Sequence, residues 1–354
     1  MDELKDGITS TYAKANVDEQ YKSYSWYTAM GLQAVDGIKT SAYLEQVAEK
    51  NIQGKISFAT SRELIETYYA KKTARTGDRT EEADKVAQRI AEMLAEDGFT
   101  LSSAQYLAIH ERLFTGIYPY AGKLRDLNIS KKEWVLNGES VIYGSATELQ
   151  ATLDYDLRAE KNYSYVHKSM DEIVEHLADF IANLWQIHPF MEGNTRTSAV
   201  FFIKYLNALG FKATNTTFAE HAWYFRNALV RANYNNLPQG ICETKEYLVL
   251  FLRNLLLDEQ NELRNRYLHV DYHMPKDSAE VSKPEELNKA VRGLTKGELG
   301  LYMLLNNEQH YTKEELGKKL GKSASTVQRL IKSLIAKKRL ERIGSKKTGY
   351  WKVL

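Results

Sequence analysis

His188-Pro189-Phe190-Met191-Glu192-Gly193-Asn194-Thr195-Arg196 is the stretch on which the reading of this chain turns. It sets an imidazole, a carboxylate, a Gly-Asn pair and a guanidinium within one short segment. A helical pattern from Thr197 to Leu209 follows at once. A loop that opens into a helix offers unpaired backbone N–H groups and the positive end of the helix dipole, and both favour phosphate. A base and a hard oxygen ligand beside that cradle point to chemistry on a nucleotide.

Outward from this loop the chain reads as mainly α. Proline is scarce, at 5 residues, and helix formers abound. Residues 1–95 read as an N-terminal helical segment, punctuated by Val35-Asp36-Gly37 and Ile52-Gln53-Gly54, whose glycines suit helix ends. Ala83, Ala87, Ile90, Ala91 and Leu94 share one helical face. Residues 96–268 are the densest apolar region. There Ser103 is a candidate cap for a helix to Phe114. Further helical patterns run over residues 145–161, 170–187, 197–209, 218–235 and 242–267. Asn137-Gly138 between Val135-Leu136 and Val141-Ile142 predicts a small β-hairpin.

Residues 269–293 are polar, contain Pro275 and Pro284, and read as a linker. Residues 294–354 then predict helix, helix, turn, helix and a two-stranded wing, the layout of a winged helix-turn-helix. Thr312-Lys313-Glu314-Glu315 reads as a capping box.

Bulk properties narrow the classes. The 354 residues carry a net charge of +2, so global charge makes no case for nucleic acid. Cys242 is the single cysteine, which excludes a disulfide framework within the chain and favours a reducing cytoplasm. No apolar run is long enough to span a bilayer, and no membrane role is expected.

The motif, here HPFMEGNTRTSA, resembles that of the Fic family. The upstream stretch from Ile109-His110-Glu111-Arg112 to Gly122-Lys123-Leu124-Arg125 is similar to the family as well. The resemblance spans about residues 100–260. It implies a Fic-type helical domain with a small β-hairpin flap, beside the C-terminal winged-helix domain. It also implies AMPylation: transfer of AMP from ATP, with Mg²⁺, to a Tyr, Ser or Thr hydroxyl of a protein target, the chain itself included. On this reading His188 is the general base. Glu192 holds the metal. Gly193, Asn194 and Thr195 cradle phosphate, with the Asn194 amide steadying the α-phosphate, and Arg196 meets the β-phosphate. Phe190 packs beneath the loop. The flap residues Trp134, Val135 and Leu136 would position a target, with Trp134 either an anchor for it or a hairpin staple. Asn227 and Tyr234 are candidates for the base or ribose.

Two positions depart from the family pattern. Thr195 stands where Gly or Lys is usual, so its side chain must point away from the phosphates. Ala199 stands where a second arginine would clamp the γ-phosphate, which leaves the identity of the donor nucleotide open. Leu32-Gln33-Ala34-Val35-Asp36-Gly37 resembles the family's inhibitory pattern, with Asp36 in place of glutamate. With Asp36 short and Ala199 unable to pair, the expectation is weak inhibition, or inhibition by other contacts.

The other histidines, His110, His167, His176, His221, His269, His273 and His310, read as structural or surface residues, and Trp223, Tyr224 and Phe225 as core. In the basic C-terminal region, Ser325, Thr326, Gln328 and Arg329 on the recognition helix and Lys346 and Lys347 at the wing tip are candidates for DNA contact. The rival function is a DNA-binding transcriptional regulator whose Fic-like domain senses a nucleotide without turnover. A homodimer is an open expectation.

Overall fold

Apolar residues at helical spacing build a mainly α structure. The computed structural model describes residues 17–71, 79–211, 215–272, 294–307, 313–320, 322–343 and 350–353. The chain forms two compact units, Met1–Tyr272 and His273–Leu354. In the first, the helices are α1 (Val17–Gly31), α2 (Ala42–Ile52), α3 (Phe58–Lys71), α4 (Thr80–Ala95), α5 (Ser103–Phe114), α6 (Leu149–Lys161), α7 (Met170–Ile187), α8 (Asn194–Ala208), α9 (Thr217–Ala232), α10 (Glu246–Leu257) and the single turn α11 (Asn265–Leu268). Short 3₁₀ turns stand at Leu32–Asp36, Trp134–Leu136 and Leu237–Gln239.

The motif helix α8 lies at the centre. Every residue from Asn194 to Leu206 is buried, as expected of a helix walled on all sides. It packs on α4, α5, α7 and the Leu32–Asp36 turn. The N-terminal segment is part of this body, because residues on both sides of position 95 share one hydrophobic core. Trp26 is fully buried and donates from Nε1 to Asn51 at 2.8 Å. Gly31, at the end of α1, is set by a close approach: a Cβ there would meet the Ala219 carbonyl oxygen on α9 at 2.2 Å. The N-terminal segment thus rests directly on α9.

Three sequence expectations need correction. The predicted hairpin is a loop. Asn137 and Gly138 do adopt the positive φ of a tight turn, at 57° and 85°. The flanking residues form no strands, however, and Trp134–Leu136 coils into a 3₁₀ turn. The physical reason is competition. The Val135 carbonyl is taken by Val270 N at 2.9 Å, and the Glu133 backbone is spent on the turn itself, donating to Glu139 O at 3.0 Å and accepting from Gly138 N at 2.9 Å, so no longer ladder forms. The helix expected over 242–267 is shorter, since Asp258 in the left-handed region (φ 52°) ends α10. The cap of α5 is Ser102, whose hydroxyl accepts from Gln105 N, rather than Ser103.

The second unit holds α12 (Lys296–Asn307), α13 (Lys313–Leu320), α14 (Ala324–Ala336), β1 (Leu340–Ile343) and β2 (Tyr350–Val353). The strands pair antiparallel, with Leu340 opposite Val353 and Ile343 opposite Tyr350. Ser323 caps α14 by accepting from Thr326 N. A separate core joins Leu301, Leu305, Leu316, Val327, Ile331, Leu334 and Trp351. The capping-box residue Thr312 and the wing-tip residues Lys346 and Lys347 lie outside the described residues.

Candidate active site

The motif loop is made by two residues in the left-handed region. His188 ends α7 at φ 50°, and Gly193 opens α8 at φ 79°. An imidazole in that conformation is strained by about 1 kcal/mol or more, and such strain concentrates at functional positions. Gly193 admits no substitute. A Cβ would meet the Phe114 ring at 2.4 Å, in addition to the positive φ.

Buried groups on every side fix the loop between these points. Asn194 closes it, with Oδ1 accepting from Phe190 N at 2.9 Å and Nδ2 donating to Phe190 O at 2.8 Å. Both polar ends of that side chain thus brace the loop. Thr195 points inward and accepts from Trp185 Nε1 at 3.0 Å, as its departure from glycine requires. Phe190 is fully buried beneath the loop and stacks on His110, ring centroids 3.6 Å apart. His110 accepts from Gly122 N at Nδ1 (2.8 Å) and bonds the Glu192 carbonyl through Nε2 (3.0 Å), which assigns its proton to Nε2. Burial pushes its pKa down to about 4, so it is a neutral structural clamp. Arg125, barely exposed, donates from Nε to His188 O at 2.8 Å and from its terminal nitrogens to Leu127 O and Gly144 O.

Two side chains face the chemistry. His188 is buried, and its Nδ1 lies 3.3 Å from Trp185 O. Burial, then the positive charges of Lys131, Arg226 and Arg125, hold its pKa well below the ordinary imidazole value, against the Trp185 hydrogen bond. The ring is neutral near pH 7. A proton on Nδ1 leaves the Nε2 lone pair to accept another. Glu192 is half-exposed and pairs with Lys131 Nζ at 2.8 Å. That ammonium stands where a cation would bind the carboxylate, so Glu192 fits a divalent ion. Among the described residues no group of three or more His, Cys, Asp or Glu side chains could hold a metal alone. A site of one carboxylate completed by phosphates and water is the usual habit of Mg²⁺ with nucleotides.

Arg196 is the surprise of the site. It is fully buried, with Nε 2.7 Å from Asp36 Oδ2, one terminal nitrogen 3.1 Å from Gln33 Oε1 and the other 2.7 Å from Glu82 Oε1. The Asp36 contact is a charge pair without an aligned hydrogen bond. Burial opposes the charge, but Asp36, Tyr118 and Glu82 outweigh it and raise the guanidinium pKa. Sequence reasoning placed Asp36 as the inhibitory candidate and then discounted a carboxylate–arginine lock, because Ala199 replaces the expected partner. Asp36 pairs with Arg196 instead, and Glu82 shares the guanidinium. Ala199 itself is wholly buried.

Other candidates fall elsewhere. Trp134 is half-exposed and stands edge-on to His269, while Val135 and Leu136 are core. Asn227 donates to Asn265 at 2.7 Å, and Tyr234 accepts from Asn236 at 3.2 Å; among the described residues neither bonds the motif loop. Gln33, Glu82, Glu133, Tyr143 and Arg226 were missed. No motif marks them, since their roles arise from contacts between distant segments.

Residues 100–206 match the profile of the Fic/DOC family. That region is similar to a Fic domain. A probable protein adenylyltransferase, y4lH, of Sinorhizobium fredii (strain NBRC 101917 / NGR234) is 27% identical over 149 residues, covering 42% of this chain and 73% of that protein. A crystal structure of a Fic family protein from Desulfovibrio desulfuricans G20 aligns over 99% of this chain and 95% of its own, at 13% identity and a TM-score of 0.41, a slight likeness beside the Fic motif itself. No described helix is long and apolar enough to cross a membrane.

Proposed function

We propose that this chain is a Mg²⁺-dependent protein adenylyltransferase that transfers AMP from ATP to a Tyr, Ser or Thr hydroxyl, its own included. The observation that carries this is the neutral, buried His188 at the cap that leads straight into the N-terminus of α8. The hydroxyl oxygen attacks the α-phosphorus and pyrophosphate leaves. His188 Nε2 takes the hydroxyl proton. The first N–H groups of α8 hold the phosphates, as an unpaired helix start does. Arg196 would meet the β-phosphate once released from Asp36 and Glu82. A divalent ion on Glu192 would offset the charge that builds on the leaving pyrophosphate. Positioning and electrostatics then account for most of the acceleration.

Incubation with ATP, GTP, UTP and CTP in turn, followed by mass spectrometry, tests this. The expected result is a protein adduct of one AMP, absent in His188→Ala. An adduct of another nucleotide would reassign the donor. Nucleotide binding without any adduct would favour the sensing regulator instead.

A second role is proposed for the C-terminal unit, as a winged helix that contacts DNA. Ser325, Gln328, Arg329 and Lys332 lie exposed along α14, opposite the buried Val327, Ile331 and Leu334. Binding of a duplex by the full chain should weaken steeply with salt. Its absence at low salt rejects the role.

A further inference from the structure

Among the described residues the His188 ring has a single hydrogen bond, to Trp185 O, to set its direction. One such bond leaves the ring free to tilt about it. The further constraint comes from Tyr143. Its ring lies on the imidazole, centroids 4.0 Å apart and planes 26° from parallel. Trp185 closes another side edge-on, at 5.1 Å and 86°.

Tyr143 is in turn held from a distance. Its hydroxyl donates to Glu133 Oε1 at 3.4 Å. Glu133 is 1% exposed, so its carboxylate must find charge inside the protein. It accepts from the Arg226 guanidinium at both oxygens, 2.8 and 2.9 Å. Both bonds come from one terminal nitrogen, which the carboxylate straddles. Arg226 also donates to Val35 O at 2.7 Å, which ties it to the N-terminal turn.

We propose that Tyr143 is a positioning residue for His188, set in place by the buried Glu133–Arg226 pair. The stacked ring keeps Nε2 aimed at the incoming hydroxyl. This rests on the transfer reading above, because it gives the imidazole its task there. Lys131, Arg226 and Arg125 are the charges that face His188, and none of them fixes the tilt of its ring.

The test uses Tyr143→Phe and Tyr143→Leu in the full chain. Phenylalanine keeps the stack and loses the hydroxyl; leucine fills the space without a ring. Leucine should lower kcat for AMP incorporation by about tenfold or more at an unchanged KM for ATP, the signature of a misdirected catalytic group. Phenylalanine should stay within about threefold of the parent. The second readout needs no turnover: carbethoxylation of His188 by diethyl pyrocarbonate, followed by mass spectrometry, with the exposed His167 as internal reference. Leucine should speed reaction at His188 severalfold, and phenylalanine, which keeps the stack but loses the tie to Glu133, by a smaller factor. Glu133→Gln, which keeps the side chain's size, should give an intermediate increase. His188 reactivity unchanged in the leucine variant, or phenylalanine as damaging as leucine, overturns the proposal. If the parent chain transfers no nucleotide at all, the transfer reading fails, and the carbethoxylation result still decides the positioning role.

Discussion

Asp36 and Arg196 stand 2.7 Å apart, the one closing a 3₁₀ turn of the N-terminal segment, the other in the first turn of the motif helix. Glu82 and Gln33 bond its terminal nitrogens, while Nε meets Asp36 as a charge pair without an aligned hydrogen bond. A phosphate can gain Arg196 only if a carboxylate yields it. The N-terminal segment thus places Asp36 against the arginine proposed to meet the β-phosphate. Removing residues 1–95 is a poor way to see this, because they supply part of the shared core.

Asp36→Asn should tighten ATP binding by about tenfold, since it deletes one competing charge and leaves Glu82 to hold the arginine. Adding Glu82→Gln should not simply add. With both charges gone, Arg196 is a buried cation without a counter-ion, a state that costs about 3–5 kcal/mol. The double variant should thus melt early without ligand and gain more from ATP than the parent. Titration calorimetry and melting curves with and without ATP check this. Equal affinities in parent and Asp36→Asn would show that the pair does not compete with nucleotide.

Acid should loosen the same lock through Glu82. Burial raises the pKa of this carboxyl, but hydrogen bonds from Arg79, Tyr118 and Arg196 and the charge of Arg196 hold it down to about 2, from an ordinary value of 4.5. The folded state therefore favours the ionised form more than the unfolded chain does. The stabilisation is complete above pH 4.5 and drains away as pH falls from there toward about 2. Screening by solvent limits it to about 1–2 kcal/mol. Urea unfolding at a series of pH values should show this loss, and Glu82→Gln should flatten it.

Gly193→Ala is expected to disable the loop by two routes. The methyl group would press into Phe114, and an alanine at φ 79° is strained in any space. Together they should cost about 2–4 kcal/mol and abolish AMP transfer. Phe114→Leu in the same chain relieves only the steric part. Recovery of some stability without recovery of activity separates the two, by calorimetry and labelling on the same samples.

The motif loop and the helix that follows it were legible in the sequence because their residues are neighbours along the chain. Helix positions were legible for the same reason, from local periodicity. The target loop was misread because Asn137-Gly138 states only that the backbone turns. Whether strands pair depends on what the Val135 carbonyl meets, and Val270 is far away in sequence. The partners of Arg196 were hidden likewise. Asp36 was found only through its resemblance to an inhibitory pattern, and Glu82 looks like any acid in the first turn of a helix. The site's control lies in pairings between segments, which no local pattern encodes.

The C-terminal unit should fail separately, through Glu298. This carboxylate is 3% exposed and sits in α12, accepting from Thr295 N at 2.6 Å, from the Ser333 hydroxyl and from Lys337 Nζ at 2.7 Å. Ser333 and Lys337 mark the end of α14, so Glu298 pins the proposed recognition helix to α12. Glu298→Ala strands the Thr295 N–H and removes both links to α14. The loss should be about 2–3 kcal/mol. Since the two units have separate cores, calorimetry should show one transition moving down and the other staying in place. Duplex binding should weaken with the first, and AMP transfer should be unaffected. A joint shift of both transitions would mean that the units unfold as one.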